Sequence, residues 1–403
     1  VKIQRKSQLE FVGLMAALMS IAALALDALL PALDLIGRDI GTTSLAQNQL
    51  LITLFFLGLG VGPLLFGPVS DSVGRKPVVY IGFGLFVFAS FLCVFSAKFE
   101  TMIAGRILQG IALSAPRTIS VAMIRDRYSG DQMARILSFV VVVFILVPIV
   151  APTLGKWILD AMGWEAIFHV QVAFAILVAL WFWRRQPETL VPEKRNSFRF
   201  SVFIHGYKEL LNYRQTMIFT FIWGFITGSF LVYLSTAQQV FEDQYLMKES
   251  FPYIFACLAI TIGTATLLNG TLVLRFGMLR LVTVALGCYI LVPLLFVILF
   301  YGSGNPPWWV ALGFFGMQFF AVGFVFGNLR ALAMEPVGHI AGIGSAITGC
   351  IATVMAVPIS AFIGSYVKVS ILPIFLGFLI CGTMAYLLLG YFYLSKRFRN
   401  HGN

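Results

Sequence analysis

The chain has 403 residues, of which 59% are hydrophobic, 15% aromatic and only 11% charged, with a mean hydropathy of +0.91 and a formal net charge of +11. Too few polar side chains remain to cover the two or three soluble domains that such a length would otherwise suggest, so a water-soluble globular protein is excluded. The basic excess does not point to nucleic acid. Most of the 28 Lys and Arg fall in the termini and in alternate loops, the pattern of a polytopic membrane protein with both termini in the cytoplasm and its basic loops against anionic lipid headgroups.

Apolar runs of about 20 residues, each long enough to cross a hydrocarbon core of roughly 30 Å, recur along the whole sequence. They predict twelve spans, over residues 9–34, 45–70, 77–97, 99–124, 133–159, 164–184, 214–241, 250–273, 280–301, 308–334, 340–367 and 371–394. The first run is longer than the core of a secretory leader, and Asp27 closes it where small cleavage-site residues would stand, so no leader is expected there. The longest hydrophilic stretch divides the chain into a six-helix bundle over 1–185, a cytoplasmic linker over 186–213 and a second six-helix bundle over 214–403. Within it, 205–214 reads equally well as a short amphipathic helix on the membrane or as a flexible loop.

Charges inside or beside the spans carry the chemistry. In LDALLPALD, Asp27 is the one acid expected well inside the membrane, with Pro31 four residues on. In a low dielectric a carboxyl favours its neutral form unless a cation holds it ionised, so such a group can change protonation usefully. After the second span, GPVSDSVGRKP combines Gly67 and Gly74, suited to tight turning and close helix approach, with Asp71, Arg75 and Lys76, which can bridge neighbouring helices. The fourth span holds RILQGIALSAP, with Arg106, Gln109 and Gly110. An arginine about 10 Å inside the membrane costs on the order of 2.5–3.5 kcal/mol and needs a partner or a wet cavity. Asp27 lies at a comparable depth and is the expected partner.

Arg117 follows Arg106 by eleven residues, almost three whole turns, so the two share a helix face, with Arg117 about 16 Å further along. If Arg106 faces a central cavity, Arg117 faces it too. Arg330 in the tenth span lies at a similar inner depth and either joins the cavity or snorkels to the interface. In the fifth span, VPIVAPTLGKW carries Pro148, Pro152 and Gly155, which soften a helix where it packs against the other half. An internal repeat supports the two-half division: Gly67 and Gly74 are spaced like Gly270 and Gly277 after the eighth span, though Leu274 stands at the offset of Asp71. The five cysteines are scattered with no C-x-x-C spacing, so neither a metal site nor a disulfide framework is expected.

These motifs together resemble the major facilitator superfamily, and within it the twelve-span drug/proton antiporters of the bicyclomycin and chloramphenicol resistance type, over nearly the whole chain. GPVSDSVGRKP is similar to the family's G-x-L-x-D-x-x-G-R-[KR] loop, RILQG to its R-x-x-Q-G motif, VPIVAPTLGKW to its antiporter motif, and LDALLPALD to D-x-x-x-P-A-L-P. Departures are Ala151 before the second proline, Lys156 where glycine is common, Glu165 where arginine is common, and Asp34 in place of the last proline. The resemblance implies an all-α membrane protein of two pseudo-symmetric six-helix bundles. It implies proton coupling by Asp27 and Arg106, and gating by Gly67, Asp71, Gly74, Arg75, Lys76, Pro148, Pro152 and Gly155.

The expected activity is therefore antiport of protons against small amphipathic molecules such as antibiotics, driven by the proton gradient without cofactor or metal, by a monomeric carrier of the bacterial inner membrane. The cavity arginines open an alternative, a dedicated transporter of a carboxylate metabolite such as a siderophore, because guanidinium groups bind carboxylates bidentately. On either reading Arg117, Arg330 and Gln109 are the candidate substrate ligands. Catalysis is not expected, since no acid cluster, H-x-x-x-x-D or phosphate-binding G-x-x-x-x-G-K-[ST] occurs and only His169 of the four histidines lies in a span.

Overall fold

The computed structural model describes residues 2–195 and 200–401. The chain forms two compact units, Val1–Arg199 and Phe200–Asn403. The first contains α1 (Lys2–Asp27), a 3-10 turn (Leu30–Ala32), α2 (Leu33–Asp39), α3 (Leu45–Val73), α4 (Arg75–Val94), α5 (Phe99–Arg127), α6 (Gly130–Met162) and α7 (Glu165–Arg185). The second contains α8 (Phe200–Asn212), α9 (Arg214–Gln238) prolonged by a π-helical turn (Gln239–Gln244), α10 (Phe251–Phe276), α11 (Met278–Phe300), α12 (Trp308–Met334), α13 (Ala341–Gly364) and α14 (Leu372–His401). No strand occurs among the described residues. Eleven helices among those residues are long and apolar enough to cross a membrane, and α6, 33 residues long, carries the fifth apolar run of the sequence. Large apolar side chains such as Phe88, Leu177, Leu267, Val284 and Leu387 are exposed on the helix exteriors, as a hydrocarbon solvent requires.

The first span is not one helix. Proline has no N–H to continue the ladder, and Pro31 stands in the first turn of the 3-10 segment, so α1 ends at Asp27 and a separate short helix follows. The turns that end α3 and α10 match: Gly74 (φ +109°) and Gly277 (φ +78°) each close one helix and open the next in the left-handed region. The seven-residue glycine repeat therefore marks equivalent turns in the two units. Gly67 does not serve close approach, however. It lies inside α3 with open space where a Cβ would stand, so the expectation made for it is corrected.

The linker segment splits. Residues 200–212 are the helix α8, not a loop, and it packs on α13 of the second unit, with Gly206 against Ile343 and Leu210 buried. Residues 196–199 lie outside the described residues.

In the first unit α5 is the central helix, flanked by α1, α3 and α4. The approach of α3 to α5 is close enough that a Cβ on Gly110 would fall 2.1 Å from the carbonyl oxygen of Phe55, and one on Gly58 2.2 Å from that of Ile107. Backbone cannot swing aside as a side chain can. Gly110→Ala should therefore destabilise the protein by about 1–3 kcal/mol, the range for overpacking, seen as a lower thermal midpoint in detergent, whereas Gly67→Ala leaves the midpoint unchanged or slightly raised.

Candidate functional site

The end of α1 and the middle of α5 build one buried polar centre. Because α1 stops at Asp27, Leu29 N–H bonds to Leu26 O and leaves the Ala25 carbonyl to another donor. Arg106 Nη1 takes it at 3.2 Å, while Nε donates to Leu51 O at 3.0 Å and the guanidinium lies 4.5 Å from the Phe55 ring centroid. Arg106 is wholly buried (0% exposed), and its Nη2 has no hydrogen-bond partner. Asp27 is also buried (3% exposed), and among the described residues its carboxylate makes no hydrogen bond or ion pair. The expected Asp27–Arg106 pair is thus absent here. The arginine is held by backbone carbonyls and an aromatic face.

Gln109 does not face a substrate. It is fully buried, its Oε1 accepts from Arg106 Nη1 at 2.7 Å and its Nε2 donates to Ser90 Oγ at 2.8 Å, so both ends of the amide are spent fixing Arg106 to α4. The substrate-ligand expectation for Gln109 is corrected on that ground. The premise that Arg106 faces a cavity falls with it, since its partners are α1, α3 and Gln109. Arg117 is half-buried on α5, and Arg330 is exposed on α12 with its guanidinium 5.9 Å from the Trp223 ring. The helical spacing predicted the shared face of Arg106 and Arg117 but not which neighbours lay on it.

A second buried acid escaped the sequence reading. Glu242 lies in the π-helical turn that ends α9, where Gln238 Nε2 donates to its Oε2 at 3.1 Å. The stretch AQQVFEDQ reads as a helix end running into a polar loop, which hid it. Single π-helical turns concentrate at functional sites. In the first unit, Trp164 Nε1 donates to Asp39 Oδ2 at 2.6 Å and Asp34 accepts from Asn48 Nδ2 at 3.2 Å, fixing the α2 segment to α7 and α3.

The α3–α4 turn assembles the charged motif. Arg75 pairs with Asp71 one turn back, donates to Ser70 Oγ at 2.7 Å, and reaches Asp126 at the end of α5, Nε to Oδ2 at 3.0 Å. Lys76 lies over Phe182 at 6.0 Å and pairs with no carboxylate among the described residues. Glu188, after α7, accepts from the backbone N–H groups of Arg75 and Lys76, each at 3.0 Å, and so satisfies the first donors of α4. Gly74 leaves it the room: a Cβ there would meet Glu188 Oε2 at 2.8 Å. Asp126 and Glu188 escape the sequence reading, because nothing in their local pattern names a partner in α4.

At the other end, α6 runs unbroken through Pro148 and Pro152, and Gly155 abuts Ala28, the residue after Asp27. Next to it, Lys156 is buried and bonds Asp160 at 3.0 Å.

Comparison with known proteins matches this arrangement. The family model described as Major Facilitator Superfamily covers residues 15–352. The chain belongs to the major facilitator superfamily. It is similar to an uncharacterized MFS-type transporter, YdgK, of Bacillus subtilis, 30% identical over 89% of each chain, and to a bicyclomycin resistance protein homolog of Haemophilus influenzae, 26% identical over 98% of each. A D-xylose–proton symporter shares the fold, with a TM-score of 0.73, 16% identity, and 96% of this chain and 97% of that chain covered. As a superfamily member the protein is a multi-pass membrane transporter of small molecules, not an enzyme.

In this transporter the Glu188 cap has a pH signature. Partial burial would push its carboxyl up, but the N–H groups of Leu190, Lys76, Arg75 and Thr189 outweigh that and hold it below the ordinary glutamate value. A depressed acid contributes stability above its unfolded value, near 4.3, which is lost as pH falls through the folded value. Glu188→Gln should lower the thermal midpoint at neutral pH by the equivalent of about 1 kcal/mol, and the gap to the parent protein should close as the pH is brought below 4.

Proposed function

We propose that the protein is a proton-coupled antiporter that exports small amphipathic molecules, antibiotics among them, across a bacterial inner membrane by alternating access. The observation that carries this reading is Asp27, a carboxyl buried in a membrane-spanning helix with no hydrogen bond or ion pair among the described residues. Ionisable groups inside spans mark ion and proton pathways, and an acid that no fixed cation neutralises binds or releases a proton according to which side its surroundings open. Arg106 supports the role by presenting a fixed positive charge on the same helix segment, through Ala25 O, without quenching the acid. The resistance protein among the relatives supports export of a drug-like substrate.

The charged α3–α4 turn fits a gate. Asp71, Gly74, Arg75 and Lys76 lie at the end that the positive-inside pattern assigns to the cytoplasm, where the bonds of Arg75 to Asp71 and Asp126 must hold or break together. Pro148, Pro152 and Gly155 belong to the outer side of the cycle. Both termini are cytoplasmic in this reading, the carrier works as a monomer among anionic lipids, and the proton gradient is its energy source.

In inside-out vesicles, acidifying the lumen should drive uptake of a substrate by the wild-type protein. Asp27→Asn should reduce that proton-driven uptake at least tenfold while leaving the thermal midpoint in detergent nearly unchanged; undiminished uptake by the variant removes the proposal.

A second reading concerns substrate charge. Arg117 on α5 is half-buried and Arg330 on α12 is exposed, and a guanidinium binds a carboxylate bidentately. This favours an anionic molecule such as a carboxylate metabolite, with Arg330 a further ligand. Arg117→Ala should then weaken binding of carboxylate ligands about tenfold or more and spare neutral ones, as measured by calorimetry on the purified protein; equal binding of anions by the variant excludes this reading.

A further inference from the structure

We infer that the groove between α1 and α7 binds the headgroup of an anionic phospholipid, with Arg184 as the phosphate ligand. Glu10, Leu177, Leu180, Trp181, Arg184 and Arg185 line this groove, whose volume is about 840 Å³. It lies at the same end of the first unit as the α3–α4 turn, because Glu188, shortly beyond α7, caps α4 there. The site is toward the other end of α1 from Asp27 and is independent of the proton-coupling reading.

Leu177, Leu180 and Arg184 are spaced three and then four residues apart on α7, which sets them on one stripe of the helix surface. Both leucines are exposed, by 64% and 51%, so the stripe is open to hydrocarbon where it begins. Arg184, also exposed, lies about 10 Å further along the helix axis than Leu177. An apolar run ending in a guanidinium has the profile of a phospholipid, acyl chain first and phosphate next. Trp181 completes the wall: its indole N–H donates to Glu10 Oε1 at 3.3 Å, and an aromatic ring with one polar edge suits the headgroup level.

The charges of the lining do not cancel. Glu10 is committed to Arg185, whose Nε donates to the same Oε1 at 3.0 Å, and that bond uses only one nitrogen of the guanidinium. Arg184 makes no hydrogen bond or ion pair among the described residues. Two further acids at this end are taken up elsewhere, Asp126 by Arg75 and Glu188 by the first N–H groups of α4. The groove therefore keeps a surplus positive charge at Arg184. A guanidinium binds phosphate bidentately, and basic pockets between spans on the cytoplasmic side, where the positive-inside pattern puts this end, hold anionic headgroups. A zwitterionic lipid brings no net charge to balance the surplus, and a protein partner would have to displace lipid from the two leucines, so the occupant is an anionic phospholipid.

Fluorescence quenching of the full-length protein in liposomes tests this, with the signal lost in Trp181→Phe isolating Trp181 from the rest of the seven tryptophans. Half-quenching of that signal should need a mole fraction of brominated phosphatidylglycerol about fivefold lower than of brominated phosphatidylcholine. Arg184→Gln should remove the preference, and Arg280→Gln, which replaces an exposed arginine of the second unit, should leave it in place. Equal quenching by the two lipids, or a preference that survives Arg184→Gln, overturns the inference. Loss of the preference in Arg280→Gln overturns it too, since the attraction would then belong to the whole charged surface. A Trp181 signal that neither lipid quenches does the same, because protein, such as a second copy of this chain, would then cover the groove. If Trp181→Phe does not fold, native mass spectrometry with phosphatidylglycerol decides: fewer bound lipids in Arg184→Gln than in the parent protein support the site, and equal numbers refute it.

Discussion

The interaction on which the first unit depends is the burial of a guanidinium that pairs with no carboxylate among the described residues. Removing Arg106 from water is costly, and the helices meet that cost with backbone carbonyls, from Ala25 and Leu51, and with the face of Phe55. Those acceptors exist only if α1 ends early and α3 comes close, which the Asp27–Pro31 break and the Gly58–Gly110 contact provide. The same break leaves Asp27 at the end of its helix, with no ion pair among the described residues. Charge compensation by dipoles thus keeps apart two groups that an ion pair would have joined, the Arg106 guanidinium and the Asp27 carboxyl.

The two units use one helical plan with opposite chemistry. Counted from the first residue of its helix, Phe315 in α12 stands where Arg106 stands in α5, and Gln318 stands where Gln109 stands. Gln318 Nε2 donates to the Tyr289 carbonyl of α11, as Gln109 Nε2 donates to Ser90 of α4, so in each unit an amide ties the same pair of helices. Around Phe315, however, the rings of Tyr233, Phe241, Phe319 and Phe375 fill the space that charges and carbonyls occupy in the first unit. Around these matched positions the first unit places a guanidinium and carbonyls, and the second places dense aromatic packing. Glu242, a buried acid of the second unit, is held in a π-helical turn at the end of α9.

The α3–α4 turn shows why a short motif acts as more than a topology signal. Arg75 joins Asp71 within its own motif to Asp126 on α5, and Glu188 caps α4 from beyond α7, so one guanidinium and one carboxylate bring four elements together. Such a knot holds well when all its members are in place and loosens as a unit, because each group left behind would be a poorly satisfied charge. That cooperativity is what the proposed gating role asks of the turn.

Local pattern was enough for much of this. Runs of apolar residues are set by the thickness of the bilayer, so the spans, the two halves and the matched turns at Gly74 and Gly277 were legible in the sequence. Tertiary structure alone decided that Gln109 serves Arg106 instead of a substrate, that Gly67 meets nothing while Gly155 meets Ala28, that Glu242 is buried, and that Glu188 caps a helix 113 positions away. The reason is physical. Periodicity records how a residue is placed on its own helix, whereas a hydrogen bond or a steric contact depends on the crossing angle and register of a second helix, to which that periodicity is blind.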